Sequence, residues 1–291
     1  MKVSTSTSDI ICHHGAEKAI RIIAQAGFDA YDYSFCVLKS DDPFYTDGYM
    51  ENARKMKAAA DECGISCNQA HAPFPSSVGD PEKDEKIFND IVKSIEYAAY
   101  LGAKCIVVHP KQHLVYAEHA EELFELNVEF YKRLVPYAEK FGIKVATENM
   151  WQWNGNAKAC IDSTCSRAWE FNKYIDAVNS PYLVGCLDIG HVSLMGTDIP
   201  KFIHDMGNER IFALHVHETD LKNDNHTLPF TQKIDWISVA KALGEIDYKG
   251  DLTFEAGQFP TRMPAELSLD AEILLCKVGR YLASVIDANR P

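Results

Sequence analysis

Six short apolar runs in this sequence end on a histidine or a carboxylate, and their recurrence restricts the folds that the chain can adopt. The best marked is Leu187-Asp188-Ile189-Gly190-His191, which follows an apolar run from Tyr182 to Cys186. Because the carboxyl ends of parallel strands meet at one face of a barrel, residues at those ends converge on a single cleft. Histidine, aspartate and glutamate are also common metal ligands. The runs end at His71, His109, Glu148, Asp188, His215 and Glu255.

Strand-like and helix-like segments alternate along the whole chain, in eight consecutive pairs. Glycine stands directly after several of the helix-like segments, where a helix C-terminus favours it. The alternation predicts a parallel sheet. Eight short strands favour a closed barrel over an open doubly wound sheet, and the G-x-G-x-x-G turn of a dinucleotide-binding sheet does not follow the first strand. We therefore predict an α/β fold, a single (β/α)8 TIM barrel that spans residues 1–291 as one domain.

The pattern also predicts where each element lies. Strands are predicted at 2–6, 28–35, 65–71, 104–109, 143–148, 182–188, 210–217 and 251–255. Helices are predicted at 16–26, 49–63, 84–101, 118–141, 165–178, 199–206, 236–246 and 265–286. Long loops are expected after His71, His109, Glu148 and His217, and in a barrel such loops form the active-site face.

Composition excludes several classes of function. The formal net charge is −13 and no run of lysine or arginine is present, so nucleic-acid binding is not expected. The polar opening Met1–Thr7 lacks the apolar segment of a signal peptide, and no apolar run is long enough to cross a membrane. Nine scattered cysteines without a C-x-x-C pair indicate reduced thiols. A cytoplasmic enzyme is the expectation.

Four of the strand-end residues form a candidate metal shell. Glu148, Asp188, His215 and Glu255 end the fifth to eighth predicted strands. Their mixture of oxygen and nitrogen ligands suits one divalent ion, Zn²⁺, Mn²⁺, Mg²⁺ or Co²⁺. A single carboxylate at a strand end is often only a helix cap or an ion-pair partner, but four at equivalent positions favour metal binding.

Further residues are candidates for binding substrate, each with a structural alternative. His191 either polarises a substrate oxygen or caps the next helix. His71 and His109, each followed closely by proline, either line the site or are hydrogen-bonded core histidines. His217 lies two residues after His215 on the same predicted strand, so its side chain would also point into the barrel. Trp151, with its neighbour Trp153, either stacks on a sugar face or packs within its loop.

Two histidine-containing segments lie outside these strand ends. Asp224 and His226 belong to a polar loop and are either surface residues or further ligands. His13 and His14 either overhang the mouth of the barrel or lie in a solvated loop.

These residues together resemble the xylose-isomerase-like TIM-barrel superfamily, over essentially the whole chain. The resemblance rests on Leu187–His191, Leu214-His215-Val216-His217-Glu218, Phe254-Glu255 and Lys233-Ile234-Asp235-Trp236. In the ketose epimerases of this superfamily, a Glu, an Asp, a His and a Glu from strands five to eight hold one divalent metal. The resemblance assigns those roles to Glu148, Asp188, His215 and Glu255. It also implies that the two glutamates are the acid/base pair and that His191 binds an oxygen of the substrate.

Another branch of the superfamily, the class II AP endonucleases, uses more ligands to hold three zinc ions. Its additional ligands correspond here to His71, His109, Asp224 and His226. The charge of −13 and the opening Val3–Thr7, which lacks the usual glycines of that branch, weigh against it. The chain also departs from the ketose epimerases, because Asn154 and Leu221 replace their second substrate glutamate and their arginine.

The sequence therefore predicts a metal-dependent isomerase or epimerase that acts on a small sugar or polyol. The metal would act as a Lewis acid that stabilises an enediolate, while Glu148 and Glu255 exchange the proton. The alternative is a zinc-dependent phosphodiester hydrolase with additional Zn²⁺ ions, and a third is a barrel that only binds a polyol. Barrels of this kind are often dimers or tetramers, so a homo-oligomer is an open expectation.

Overall fold

The computed structural model describes residues 1–291 apart from the side chain of Asp9. Ten strands alternate with helices along the chain. They are β1 (Val3–Ser6), β2 (Ala30–Ser34), β3 (Ser66–His71), β4 (Cys105–Val107), β5 (Lys144–Glu148), β6 (Trp151–Asn154), β7 (Ala159–Asp162), β8 (Leu183–Asp188), β9 (Ile211–His215) and β10 (Leu252–Phe254).

Eight of these strands form one sheet, in the order β10–β1–β2–β3–β4–β5–β8–β9, and every pair in it is parallel. The two ends of this order meet directly after β9. The Val216 amide donates to the Thr253 carbonyl at 3.0 Å, and the Glu255 amide donates to the Val216 carbonyl at 3.2 Å. The sheet thus closes on itself, and the predicted (β/α)8 TIM barrel is confirmed.

The helices surround this barrel. They are α1 (Ser8–His14), α2 (Ala16–Ala26), α3 (Tyr49–Cys63), α4 (Pro81–Leu101), α5 (Tyr116–Phe141), α6 (Ala168–Val178), α7 (Ile189–Leu194), α8 (Ile199–Met206), α9 (Trp236–Glu245), α10 (Gln258–Thr261) and α11 (Ser268–Ala288). Several end as the sequence predicts: Gly64 and Gly142 follow α3 and α5 with φ of 69° each, a left-handed conformation that glycine adopts without a steric penalty.

Small side chains fill the interior of the barrel below the site. Cys105, Val107, Ala146, Cys186 and Ala213 form one buried group. On the opposite side the filling is polar. The Ser4 hydroxyl donates to Thr253 Oγ1 at 2.7 Å, and the Asn68 amide donates to both hydroxyls. The interior is therefore packed, and the open end of the barrel is where its strands terminate.

Three elements differ from the sequence prediction. The segment after Glu148 is an antiparallel hairpin of β6 and β7 rather than a plain loop, and Asn154 Oδ1 closes its turn by accepting two backbone N–H groups at 3.0 Å each. A short helix, α7, begins directly after Asp188. The helix α1 carries His13 and His14 in its last turn, so neither lies in a loop.

The apolar residues of the helices lie on the faces that pack against the barrel. None of the helices among the described residues is long and apolar enough to cross a membrane.

Candidate metal centre

Four side chains from the ends of neighbouring strands meet at the open end of the barrel. Glu148 ends β5, Asp188 ends β8, His215 ends β9 and Glu255 follows β10. One ligand atom of each lies within 4.8 Å of the corresponding atoms of the others. The first three side chains are fully buried, and Glu255 is 17% exposed. This set, the central group, is the one predicted to hold a metal.

The geometry of the central group is organised around one imidazole nitrogen. His215 Nδ1 lies 2.9 Å from Glu148 Oε1, 3.4 Å from Glu255 Oε2 and 4.0 Å from Asp188 Oδ2. Three carboxylates packed around one imidazole in a buried site repel one another unless a cation joins them. The donor set therefore fits a divalent ion.

A second group of possible ligands shares Glu148. His71, His109 and Glu148, the inner group, again offer ligand atoms within 4.8 Å of one another. His109 Nε2 lies 2.9 Å from both His71 Nε2 and Glu148 Oε2. The Glu148 Oε2 atom is buried, and despite its short distance to His109 Nε2 it accepts no hydrogen bond from the described groups. An unpartnered carboxylate oxygen facing two imidazole nitrogens is what a bound cation would satisfy.

A third group of possible ligands lies beside the first two, and most of its residues follow β9 in the chain. It consists of His191, His217, Asp224 and His226, the loop group. Asp224 Oδ2 lies 3.3 Å from His191 Nε2 and 3.0 Å from His226 Nε2, while His217 Nε2 is 3.1 Å from each Asp188 carboxylate oxygen. Asp224 and His226 are thus partly buried in the site rather than free on the surface.

Backbone carbonyls orient most of the imidazoles. His71 Nδ1 lies 2.9 Å from the Ala72 carbonyl, and His191 Nδ1 lies 2.8 Å from that of Asn149. His226 Nδ1 lies 2.9 Å from the Glu255 carbonyl. A ring that donates its Nδ1 proton to a carbonyl presents the lone pair of Nε2 on its other side, toward the ligand groups.

The motif Leu187–His191 supplies one residue to each of two groups, Asp188 to the central group and His191 to the loop group. Asp188 ends β8 and caps α7, because its Oδ1 accepts the His191 amide at 2.6 Å. The Asn149 side chain clamps the same strand end, donating to the Asp188 carbonyl at 2.9 Å and accepting its amide at 2.8 Å. The alternative in which His191 caps the next helix is wrong, because Asp188 caps α7 and Asp198 caps α8, and the His191 ring points into the site.

The charges of the three groups are strongly coupled. Burial opposes ionisation of Glu148, yet the neighbouring rings of His215 and His109 hold its pKa well below the ordinary value. Burial likewise opposes the charged form of His226, but the Asp224 carboxylate raises the pKa of that ring to about 10. Without metal, protons on histidine therefore neutralise the carboxylates.

This coupling predicts how the metal-free protein responds to pH. The raised pKa of His226 contributes stability that is complete below 6.5, the value of a free histidine, and is lost as pH rises through about 10. We expect the unfolding free energy of metal-free protein to fall across this window, measured by urea unfolding. His226→Asn should flatten the fall, and an unchanged slope in that variant would contradict the assignment.

A cavity of about 360 Å³ opens above the three ligand groups. Of the residues predicted to bind substrate, His109, His191 and Trp151 line it, as does Glu255, whereas His71 and His217 lie deeper. No lysine or arginine occurs among the described residues that line it. Sequence reasoning did not identify further lining residues, which are Phe74, Gln112, Met150 and Gln152.

The hairpin forms one wall of this cavity. The Trp151 indole N–H donates to Asp224 Oδ2 at 3.2 Å, which ties β6 to the loop group, while Trp153 is 53% exposed at the rim. Phe74 stands against His109 with ring centroids 4.8 Å apart. Aromatic faces beside polar groups are typical of sites that bind small ligands with apolar C–H surfaces.

The loop that carries Asp224 and His226 is held by one buried carboxylate. Glu218 follows β9 and is fully buried. Its two oxygens accept five N–H groups at 2.7–3.2 Å, those of Thr219, Phe230, Lys233, Ile234 and the Trp236 indole. The sequence showed this glutamate within a family motif but gave no indication of its structural part.

Glu218→Gln is expected to lower the unfolding free energy by about 2 kcal/mol. The amide has no charge, and its NH2 group would face N–H groups that now donate to the carboxylate. Chemical unfolding measures the change. The matched control is Glu245→Gln on α9, whose carboxylate is exposed and pairs with His204, and which should change stability by less than about 0.5 kcal/mol. Equal effects of the two substitutions would contradict this account of Glu218.

Comparison with known proteins agrees with the fold. Residues 20–274 match the model of the xylose isomerase-like TIM barrel family. The chain belongs to this family.

Several curated relatives match part of the chain. An uncharacterized protein of Methanocaldococcus jannaschii is 30% identical over 193 residues, 64% of this chain and 62% of that protein. A probable endonuclease 4 of Shouchella clausii is 31% identical over 60% of this chain and 59% of its own length. A putative L-ribulose-5-phosphate 3-epimerase of Escherichia coli is 24% identical over 68% of each chain. The chain thus spans about two thirds or less of these relatives.

Solved structures are similar over the whole chain. A D-tagatose 3-epimerase-like protein has a TM-score of 0.76 at 21% identity and covers 99% of both chains. At this identity the similarity establishes the barrel fold.

Proposed function

We propose that this protein is a metal-dependent isomerase or epimerase of a small, unphosphorylated sugar or polyol. The observation that carries the proposal is the cavity of about 360 Å³, which presents Glu255 of the central group and aromatic side chains, without a lysine or arginine among its described lining. A phosphate group in such a cavity would face carboxylates and would find no lysine or arginine to bind it. A neutral polyhydroxyl substrate fits this lining better.

The central group would hold one divalent ion through Glu148, Asp188, His215 and Glu255. When bound, the ion supplies Lewis acidity toward substrate oxygens. Glu255 contacts the cavity directly and is placed to remove a proton from the substrate carbon. Glu148 lies one layer deeper, with its Oε1 2.9 Å from His215, and would return the proton.

Other residues would orient the substrate. His191 lines the cavity and can accept a hydrogen bond at Nε2 from a substrate hydroxyl, since its Nδ1 donates to the Asn149 carbonyl. Trp151 and Trp153 can cover the C–H face of a sugar ring. The similarity to epimerases named above supports this class of substrate, while Asn154 and Leu221 leave the particular sugar to experiment.

A second candidate function is phosphodiester hydrolysis with up to three zinc ions. The inner, central and loop groups together favour it, because their side chains form three neighbouring sets of possible ligands, two of which share Glu148. A relative named as a probable endonuclease 4 supports it as well. The net charge of −13 and the lack of lysine and arginine in the described lining of the cavity weigh against binding DNA.

Metal content distinguishes the two functions. We expect elemental analysis of protein purified without added metal to give about one divalent ion per chain, and removal of that ion by a chelator to abolish isomerisation across a panel of ketoses and aldoses. Three zinc ions per chain, together with cleavage of abasic duplex DNA, would favour the hydrolase. Bound sugar without turnover of any substrate in the panel would instead indicate a binding protein.

A further inference from the structure

One carboxylate of the barrel interior belongs to none of the three ligand groups. Asp32 lies on β2, on the far side of the barrel from β9, and its side chain is fully buried. Its Oδ2 accepts a hydrogen bond from the Gln69 amide at 2.9 Å and lies 3.4 Å from His215 Nε2. Within the described part of the chain, His215 is its ion-pair partner.

His215 is oriented differently from the other ligand histidines. His71, His191 and His226 direct Nδ1 toward backbone carbonyls and Nε2 toward the ligand groups. His215 directs Nδ1 toward Glu148 and Glu255, and so turns Nε2 toward Asp32. Its outer partner is therefore a carboxylate, whereas His191 and His226 have a carbonyl and His71 has both a carbonyl and the Cys36 Sγ atom.

We propose that Asp32 is a positioning residue for the metal site. The inference rests on the proposed function, since it needs an ion in the central group. With its Oδ2 3.4 Å from Nε2 of His215, the Asp32 carboxylate favours the tautomer in which Nε2 carries the proton and Nδ1 the lone pair. Its negative charge also makes that nitrogen a stronger donor, because a carboxylate behind a ligand imidazole increases its basicity.

Charge balance supports this arrangement. An isolated buried carboxylate is strongly unfavourable, and no lysine or arginine among the described residues pairs with Asp32. The Gln69 amide fixes the orientation of its carboxylate, and Gln69 also donates to the Leu214 carbonyl at 3.4 Å, directly before His215. The pair thus connects β2 and β3 to the ligand on β9 through the interior of the barrel.

Asp32→Asn tests the proposal with little change in shape. The variant retains an acceptor oxygen but removes the charge. We expect its affinity for Zn²⁺ and Co²⁺, measured by competition with a chromogenic chelator, to fall about 10- to 100-fold. The absorption spectrum of the Co²⁺ protein should shift as well, because His215 would no longer be held in one tautomer.

The matched control is Thr253→Val. Thr253 is another fully buried polar residue of the barrel interior, but its hydroxyl contacts Ser4 and Asn68 rather than a ligand. A structural effect alone would lower the thermal stability of both variants and leave metal affinity unchanged in both. The proposal requires that only Asp32→Asn weakens metal binding and alters the Co²⁺ spectrum.

A second variant covers the case in which Asp32→Asn does not fold. Gln69→Met removes the donor that orients the Asp32 carboxylate, and a smaller loss of metal affinity in the same direction is expected. Metal affinity within twofold of the wild type in every folded variant would overturn the role of Asp32 and leave the proposed function standing. A wild-type protein that binds no divalent ion would overturn both.

Discussion

Glu255→Gln and Glu148→Gln should each slow the exchange of solvent deuterium into substrate by at least about 100-fold, the usual contribution of a positioned acid or base. Glutamine has the shape of glutamate but cannot accept a proton from carbon. Glu255 lines the cavity, and Glu148 joins His215 to the inner group, so each substitution removes a carboxylate that the proposed proton transfer uses.

Mass spectrometry of the recovered substrate in D₂O measures this exchange. Metal content must be determined for each variant, because both glutamates are also proposed ligands and loss of the ion would mimic loss of the base. Glu170→Gln is the control: this carboxyl is buried on α6, accepts from Tyr116 and Cys165, and burial raises its pKa to about 7. Exchange at the wild-type rate in a metal-loaded Glu255→Gln protein would end the assignment of Glu255 as the base.

Gly190→Ala is expected to reduce activity by about 100-fold through the displacement of one ring. A Cβ atom at Gly190 would lie 2.0 Å from Cε1 and 2.4 Å from Nε2 of His217, and both distances are far below van der Waals contact. The ring must move away from Asp188, whose two oxygens now lie 3.1 Å from its Nε2. Loss of packing should also cost about 1–3 kcal/mol of stability.

Steady-state kinetics and thermal unfolding of Gly190→Ala provide the measurement. Gly155→Ala in the β6–β7 turn is the matched control, because an added Cβ there meets nothing within 4 Å among the described atoms. We expect it to leave both activity and stability unchanged. If Gly190→Ala behaved in the same way, the position of His217 against Asp188 would have no part in the reaction.

Much of the barrel follows from local sequence. Short apolar runs and helical periodicity predicted the eight barrel strands and most of the helices, and glycines such as Gly64 marked where helices end. The ends of the strands also predicted which side chains meet, because parallel strands in a barrel have a fixed direction. For this reason Glu148 and Asp188 were predicted to lie together although 40 residues separate them in the sequence.

The remainder depends on tertiary contacts that local patterns do not contain. Asp32 stands between Tyr31 and Tyr33 in an apolar strand, and a lone carboxylate in a buried strand was the only signal that it faces a charged partner. The hairpin at Trp151 has an Asn154-Gly155 pair at its turn, but four residues separate β6 from β7, so the spacing of a two-residue hairpin turn is absent. The α7 helix is shorter than two turns and depends on the Asp188 cap, so periodicity could not detect it.

Glu148 belongs to both the inner group and the central group, with one oxygen toward His109 and the other toward His215. Two ions that occupied these groups would share this carboxylate as a bridge. Their binding would then be cooperative rather than independent: the first ion would fix the rotamer that the second requires, while repulsion between the two ions would oppose the second step. A titration of the metal-free protein would deviate from the sum of two independent isotherms, and the sign of that deviation would show which effect dominates.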